Sequence, residues 1–490
     1  MLRGFLNAMA RIFDRIIALE AQRVIHLYDR VYESQTDKEE VVCPSHRRTG
    51  ENFKTIRGRK RTMRKLIAVM VLMGFMVVGA GGRPACATEI DILLQKLVDK
   101  GVLTSGEAQQ IGTETKEQVK AETAAGKNAS LPAWVQNIKL KGDFRLRYQY
   151  KHEASTTYPK DTHIGRVRVR LGMESKVNDK ILAGIGIATN SGGDPRSTNI
   201  TFGDKNGGYS TKMEMRLDYA YGKYTPTPWM TLTGGKMLLA DVLWEPTDLV
   251  WDTDITPEGA IVALNKSLNA NATVFVNAGV IVGTSDTSGT ADTVNMYLVQ
   301  PGLNYKFSEK ASLKGVFSLY DWSNVKGTAY PTDSWYKSSN TKTGTTWTYD
   351  YRVASPALEF SLAEPFKAVG LNVEKLKIFG EYVDNMAVSK KNTGYAMGFQ
   401  FGHDKVEKWG NWQLRYLYAM LEKDAVLDVT PDSDRYSGKT GMRSHEFSLI
   451  YGLGKNTNMA VDIYRSWNID SSVGGKAPET LVQVDWNLKF

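Results

Sequence analysis

Val482-Gln483-Val484-Asp485-Trp486-Asn487-Leu488-Lys489-Phe490 is the stretch that decides the fold. Val482, Val484, Trp486, Leu488 and Phe490 share one parity, and Gln483, Asp485, Asn487 and Lys489 share the other. Successive side chains of a strand point to opposite faces, so the stretch is a strand with one apolar and one polar face. The end of a soluble domain usually frays into polar chain. This stretch keeps its alternation through Phe490, as expected of a strand whose apolar face meets lipid.

The same period of two runs back to Val135. Ile138, Leu140, Phe144, Leu146, Tyr148 and Tyr150 alternate with Lys139, Lys141, Asp143, Arg145, Arg147 and Gln149. Val167, Val169, Leu171 and Met173 alternate with Arg166, Arg168, Arg170 and Glu174. Met213, Met215, Leu217 and Tyr219 alternate with Lys212, Glu214, Arg216 and Asp218. Strands are expected near 137–150, 164–177, 181–189, 211–224, 230–237, 259–266, 272–283, 293–307, 311–322, 349–362, 376–385, 392–402, 411–422, 444–454, 459–469 and 479–490, about sixteen in all. Short turns such as Asn178-Asp179-Lys180, Pro226-Thr227-Pro228 and Ser308-Glu309-Lys310 follow even strands. The long segments Asn190–Ser210, Leu238–Glu258, Ser323–Thr348 and Asp424–Arg443 follow odd ones.

A soluble sandwich has no reason to sort its connections by parity. A transmembrane antiparallel β-barrel does, with short periplasmic turns and long outer loops. In lipid, backbone groups must be satisfied internally, so a closed sheet is permitted and an open one is not. The fold class expected is therefore all-β, a barrel over 135–490. Tyr148, Tyr150, Tyr219, Tyr221, Tyr224, Trp229, Trp322, Tyr349, Tyr351 and Trp467 fall near strand ends, where aromatic girdles form.

Composition excludes other classes. The 490 residues carry 62 Lys+Arg and 53 Asp+Glu, a formal charge of +9. Residues 1–87 hold 16 basic and 8 acidic groups, leaving 46 against 45 beyond them. A basic nucleic-acid-binding domain is not expected. Both cysteines, Cys43 and Cys86, precede residue 88, and the six histidines are scattered, so no metal site and no cofactor is expected. An enzyme is not expected either: no Gly-x-Ser-x-Gly accompanies the histidines, and the Gly438–Thr440 stretch has Ser433 where a phosphate loop needs glycine.

Arg57, Arg59, Lys60, Arg61, Arg64 and Lys65 precede the uncharged Leu66–Gly82 run and then Ala85-Cys86-Ala87. A basic region, an apolar run and Ala-x-Ala make a signal peptide over 63–87, cleaved after Ala87. The run is shorter than the roughly 20 residues of a spanning helix. Residues 1–62 are expected to be an over-extended start or else a cytoplasmic helix. In 88–134, Ile90, Leu93, Leu94, Leu97 and Val98 recur at helical spacing, and Thr104 with Glu107 forms a capping box. This segment is a periplasmic spacer or a small oligomerisation or wall-binding element.

From about Met63 to Phe490 the chain resembles the putative porin family of Gram-negative outer membranes. The likeness lies in the signal peptide, the helical segment Ile90–Ile111, the first strand Leu140-Lys141-Gly142-Asp143-Phe144-Arg145-Leu146-Arg147-Tyr148, the Arg166–Gly172 stretch, and Trp251-Asp252-Thr253-Asp254-Ile255-Thr256-Pro257-Glu258-Gly259-Ala260. Trp486, Leu488 and Phe490 resemble the signal read by the barrel-assembly machinery. The resemblance implies passive diffusion of small hydrophilic solutes through an outer-membrane channel, in contact with outer-membrane lipids and as a homotrimer.

It also implies a constriction, because in porins the third outer loop folds inward. That loop carries Asp241, Glu245, Asp248, Asp252, Asp254 and Glu258, and the opposite strands carry Arg145, Arg147, Arg166, Arg168, Arg170 and Arg216. An acidic loop facing a basic wall would set a field across the pore. The bland alternative is a solvated loop, with the arginines paired to Asp143 and Glu174. Asp252-Thr253-Asp254 also invites a Ca²⁺ reading but lacks the rest of a known binding loop. A substrate-specific, anion-preferring channel and a structural barrel tethering the envelope remain the other readings.

Overall fold

The computed structural model describes residues 94, 96–100, 103–114, 117 and 137–490, apart from 155–158, 191–192, 204–209, 211, 286–292, 334, 337, 371–372 and 471–477. The expected signal peptide with Ala85 and Ala87, and Ile90 and Leu93 of the helical segment, lie outside the described residues. Residues 105–114 are helical. The Thr104 amide donates to Glu107 Oε2 at 2.8 Å and the Glu107 amide to Thr104 Oγ1 at 3.3 Å, the reciprocal pair of a capping box. No described helix is long and apolar enough to cross a membrane, which says nothing of strands.

Sixteen strands cross instead. They are β1 (Lys139–Glu153), β2 (Lys160–Lys176), β3 (Ile181–Thr189), β4 (Met215–Thr227), β5 (Met230–Lys236), β6 (Glu258–Ser267), β7 (Ala272–Thr284) and β8 (Val294–Lys306). They continue as β9 (Ala311–Trp322), β10 (Tyr351–Ala363), β11 (Lys375–Asn385), β12 (Thr393–Gly402), β13 (Trp412–Leu421), β14 (Met442–Gly454), β15 (Thr457–Asn468) and β16 (Glu479–Lys489). Each pairs antiparallel with its chain neighbour, and β16 returns to β1 with Asp143 opposite Lys489 and Glu153 opposite Glu479. The sheet is closed, so no edge is left unpaired in lipid. β3 stops at Thr189 while β2 runs further out; Ile200–Thr201 of the second outer loop takes up the free β2 edge opposite Arg166 and Val167. Each of the sixteen stretches read from the alternation is a strand. The turn after β4 is tighter than expected: Pro226 and Thr227 stay in the strand.

Exposure follows parity. Leu140, Phe317, Leu358, Ile378 and Tyr297 are exposed, while Arg147, Arg168, Gln300, Glu381 and Asp485 are buried on the inner face. The register also shifts at strand ends, at Val282/Thr284 and Gly452/Gly454, but the break that moves large side chains lies in β4. Leu217 is exposed and faces out, but a register shift opposite Gly186 and Ile187 inverts the parity beyond it. Tyr219 and Tyr221 are therefore buried inside, where they lie over Gly172, Gly184 and Gly186. Tyr219 and Tyr221 are expected in the interfacial girdles, but the bulge adds one residue and turns them to the lumen. Trp322 and Tyr351, expected there too, lie on the inner parity and are buried inside.

Candidate pore constriction

The barrel interior divides into two halves. On one side, Met296 and Leu298 of β8, Tyr320 and Trp322 of β9, Tyr351 and Val353 of β10, Val383 of β11, and Leu417 and Leu421 of β13 are buried in one apolar cluster. The third outer loop, 237–257, fills this half with Leu249, Val250 and Trp251. Trp251 stacks on Trp322 at 6.3 Å between ring centroids. The loop enters through a single helical turn, Leu239–Val242. It is then pinned to the wall: the Trp244 amide donates to Gln300 Oε1 and Gln300 Nε2 to the Trp244 carbonyl, both at 3.0 Å. The Tyr320 hydroxyl donates to Glu245 at 2.8 Å, and Thr247 donates to Glu381. Burial, and then the charge of Glu381, push the Glu245 carboxyl well above its ordinary range.

The other half is charged and is built by β14–β16 and β1–β3. Arg145 and Arg147 both reach Asp485, at 3.2 and 2.8 Å. Arg168 and Arg170 hold Asp143 between them, at 2.9 and 2.7 Å. Both also reach Asp254 of the third loop, Arg170 at 3.3 Å and Arg168 at 3.9 Å. Burial opposes the Asp254 charge, but Arg168, Arg170, Arg145 and Arg147 together outweigh it and hold its carboxyl below its usual value. The loop thus crosses the lumen and touches the basic wall at Asp254.

The other residues read from the sequence are placed differently. Asp252 lies beside Asp254 but accepts from the Ser433 amide at 2.9 Å and so faces the seventh outer loop. Asp241 accepts from Lys223 at 2.7 Å on the near wall. Asp248 pairs with Arg435. Glu258 is not a loop residue: it opens β6 opposite Lys236, whose ammonium is 3.1 Å away, and is largely exposed. Arg216 stands at the outer end of β4, half-exposed, with Glu214 at 2.9 Å, apart from the other five arginines. Arg166 has hydrogen bonds to Gln149, Ser197 and the Asn199 carbonyl and no carboxylate within 4.0 Å among the described residues. It borders a cleft of about 200 Å³ lined also by Lys151, Arg196, Trp335, Asp434 and Glu479.

Sequence reasoning missed the seventh outer loop, 422–441. Ala425, Val426 and Leu427 are buried in the apolar cluster. Asp428 accepts from the Tyr336 hydroxyl at 2.7 Å and from the Ser339 and Asn340 amides at 2.6 and 2.8 Å. Its Thr430 carbonyl accepts from the Asp252 amide at 2.7 Å, joining it to the third loop. Arg435 is buried and pairs with Asp248 of the third loop and Glu446 of β14, with Asp432 at 3.7 Å. Those three carboxylates come within 4.8 Å of one another, a spacing that suits a cation, and the Arg435 guanidinium supplies it.

A family model described as "Putative porin" matches residues 106–160, 153–354 and 346–490. No curated protein matches the chain. Among solved structures, a triple mutant of Rhodopseudomonas blastica porin is similar at 11% identity with a TM-score of 0.39, covering 72% of this chain and 100% of its own. Another mutant of the same porin is similar at 11% identity with a TM-score of 0.40 and the same coverage.

Proposed function

This chain belongs to the putative porin family, and from that premise we propose how its interior governs what passes. The protein is an outer-membrane channel for passive diffusion of small hydrophilic solutes. The conducting path runs along the charged half of the lumen. The apolar half, packed by the third and seventh outer loops, serves as a plug that narrows the path. The observation that carries this reading is the contact of Asp254 with Arg168 and Arg170, which sets one carboxylate of the third loop against a basic wall at mid-barrel. Charges in such a partly dehydrated passage act more strongly than in bulk water. Polar solutes gain from that field and apolar ones do not. The protein acts as a channel and not as an enzyme. It works as a homotrimer, inserted by the barrel-assembly machinery and surrounded by outer-membrane lipid.

A second reading, a preference for anionic solutes, rests on Arg166, which has no carboxylate within 4.0 Å among the described residues, while Asp194, Asp434 and Glu479 line the same cleft and oppose that preference. Single-channel recording in planar bilayers separates the readings. A diffusion channel gives large ohmic steps. A specific anion channel gives small steps that saturate and are blocked by the preferred solute. A structural barrel gives no steps, an outcome that would overturn the proposal.

A further inference from the structure

We propose that the outward face of β14 and β15, at the outer rim, binds the phosphate of a lipid in the outer leaflet. The inference rests on the membrane-barrel reading but not on the constriction. Arg443 is the second residue of β14, and Arg465 lies near the outer end of β15. Met442, Ser444, Glu446, Ser466 and Asn468 are buried inside, so Arg443, His445, Arg465 and Trp467 face out. The register sets Arg443 opposite Trp467 and His445 opposite Arg465.

Both guanidiniums stand 5.6 Å from the centre of the Trp467 ring. Arg465 also donates to Thr480 on β16, and the Tyr416 hydroxyl is 2.7 Å from His445 Nδ1. The Thr480 bond holds Arg465, and both guanidiniums share the Trp467 ring. Neither has a carboxylate within 4.0 Å among the described residues. By contrast Arg352, outward on β10, is tied to Asp321 at 3.1 Å. Below the pair the same faces continue as Phe447, Leu449, Val461 and Ile463, which are apolar. A cation at the edge of the hydrocarbon gains from an anionic headgroup beside it. The anion available at that depth is a headgroup phosphate, which a guanidinium grips with paired hydrogen bonds.

The test titrates the purified full-length protein in detergent with dioleoylphosphatidic acid, dioleoylphosphatidylcholine or inorganic phosphate, and counts bound ligand by native mass spectrometry. Phosphatidic acid is expected to bind at least fivefold more tightly than phosphatidylcholine. The double variant Arg443→Gln, Arg465→Gln should lose that preference, and Arg352→Gln should keep it. The double variant should also keep wild-type conductance, because both side chains face away from the lumen. Lost lipid preference with intact conductance therefore speaks to this site alone. No preference in the wild type overturns the proposal. So does displacement of the lipid by equimolar inorganic phosphate, which would mark a free-anion site. A smaller oligomer in the double variant overturns it too, since a second copy would then cover the face. Should the double variant not fold, brominated phosphatidic acid tests the wild type. It should quench tryptophan emission more than brominated phosphatidylcholine does, and Trp467→Phe should remove the excess. Equal quenching by the two lipids overturns the proposal.

Discussion

The Phe490 ring lies against Gly142 across the seam where β16 meets β1. Their main chains exchange two hydrogen bonds, Gly142 N to Phe490 O at 2.8 Å and Phe490 N to Gly142 O at 3.0 Å. A Cβ at position 142 would overlap the ring. The seam thus closes with an aromatic packed on a residue that has no side chain, and the neighbouring Phe144–Trp486 pair, 6.2 Å apart edge to face, extends it.

Gly142→Val is therefore expected to lower the yield of folded protein in the outer membrane. The ring is the free end of a terminal side chain that is 66% exposed and can swing aside, so the loss is expected to be partial. Deleting Phe490 should act on the same seam. Heat-modifiable mobility on gels reports the folded fraction; normal yields from both variants would show that the contact is dispensable.

Arg435→Gln is expected to loosen the inward loops. It leaves Asp248, Asp432 and Glu446 close together and uncompensated. Breaking a buried pair from one side costs roughly 3–5 kcal/mol. The loss should fall on the loops, because the barrel's own ladder is untouched. Single-channel traces should show larger and noisier steps at unchanged outer-membrane yield. Asp248→Asn added to Arg435→Gln should restore part of the quiet behaviour, since one stranded charge is then gone.

The mature protein is proposed to begin near Thr88. Intact mass of protein extracted from outer membranes should match residues 88–490. A dominant species that still carries Met1 or Met63 would sink the reading of 63–87 as a cleaved signal.

The strands were legible because one physical demand, lipid on one side and water on the other, writes itself into alternate residues. Val167, Val169 and Leu171 against Arg166, Arg168 and Arg170 need no tertiary knowledge. Tyr219 was misplaced because a bulge leaves no mark in the pattern: Asp218 and Tyr219 fit either parity. The third loop was legible through its acids, yet only Asp254 meets the arginine wall. Lys223, Tyr320, Arg435 and the Ser433 amide draw Asp241, Glu245, Asp248 and Asp252 elsewhere, and three of these partners lie on distant chain segments. The seventh loop carried a signal in its apolar Ala425-Val426-Leu427 run. Its inward fold depends on Arg196, Tyr336 and Thr341 from other outer loops, contacts that no local pattern records.

Ion selectivity should separate the residues that meet at the wall from those that merely share the loop. Arg168→Gln with Arg170→Gln removes two positive charges beside Asp143 and Asp254, so the reversal potential should move toward cations. Asp254→Asn removes the facing negative charge, so it should move toward anions. It also frees the loop from the wall, so conductance should rise with it. Glu258→Gln should change neither, because Glu258 belongs to β6 and pairs with Lys236. All shifts should shrink at high salt, as the screening length falls from about 10 Å at 0.1 M to about 3 Å at 1 M. The decisive comparison is Asp254→Asn against Glu258→Gln in the same bilayers. Equal shifts would mean that the loop acts as a diffuse outer charge. An intact arginine effect with a silent Asp254→Asn would keep the pore and remove the third loop from its constriction.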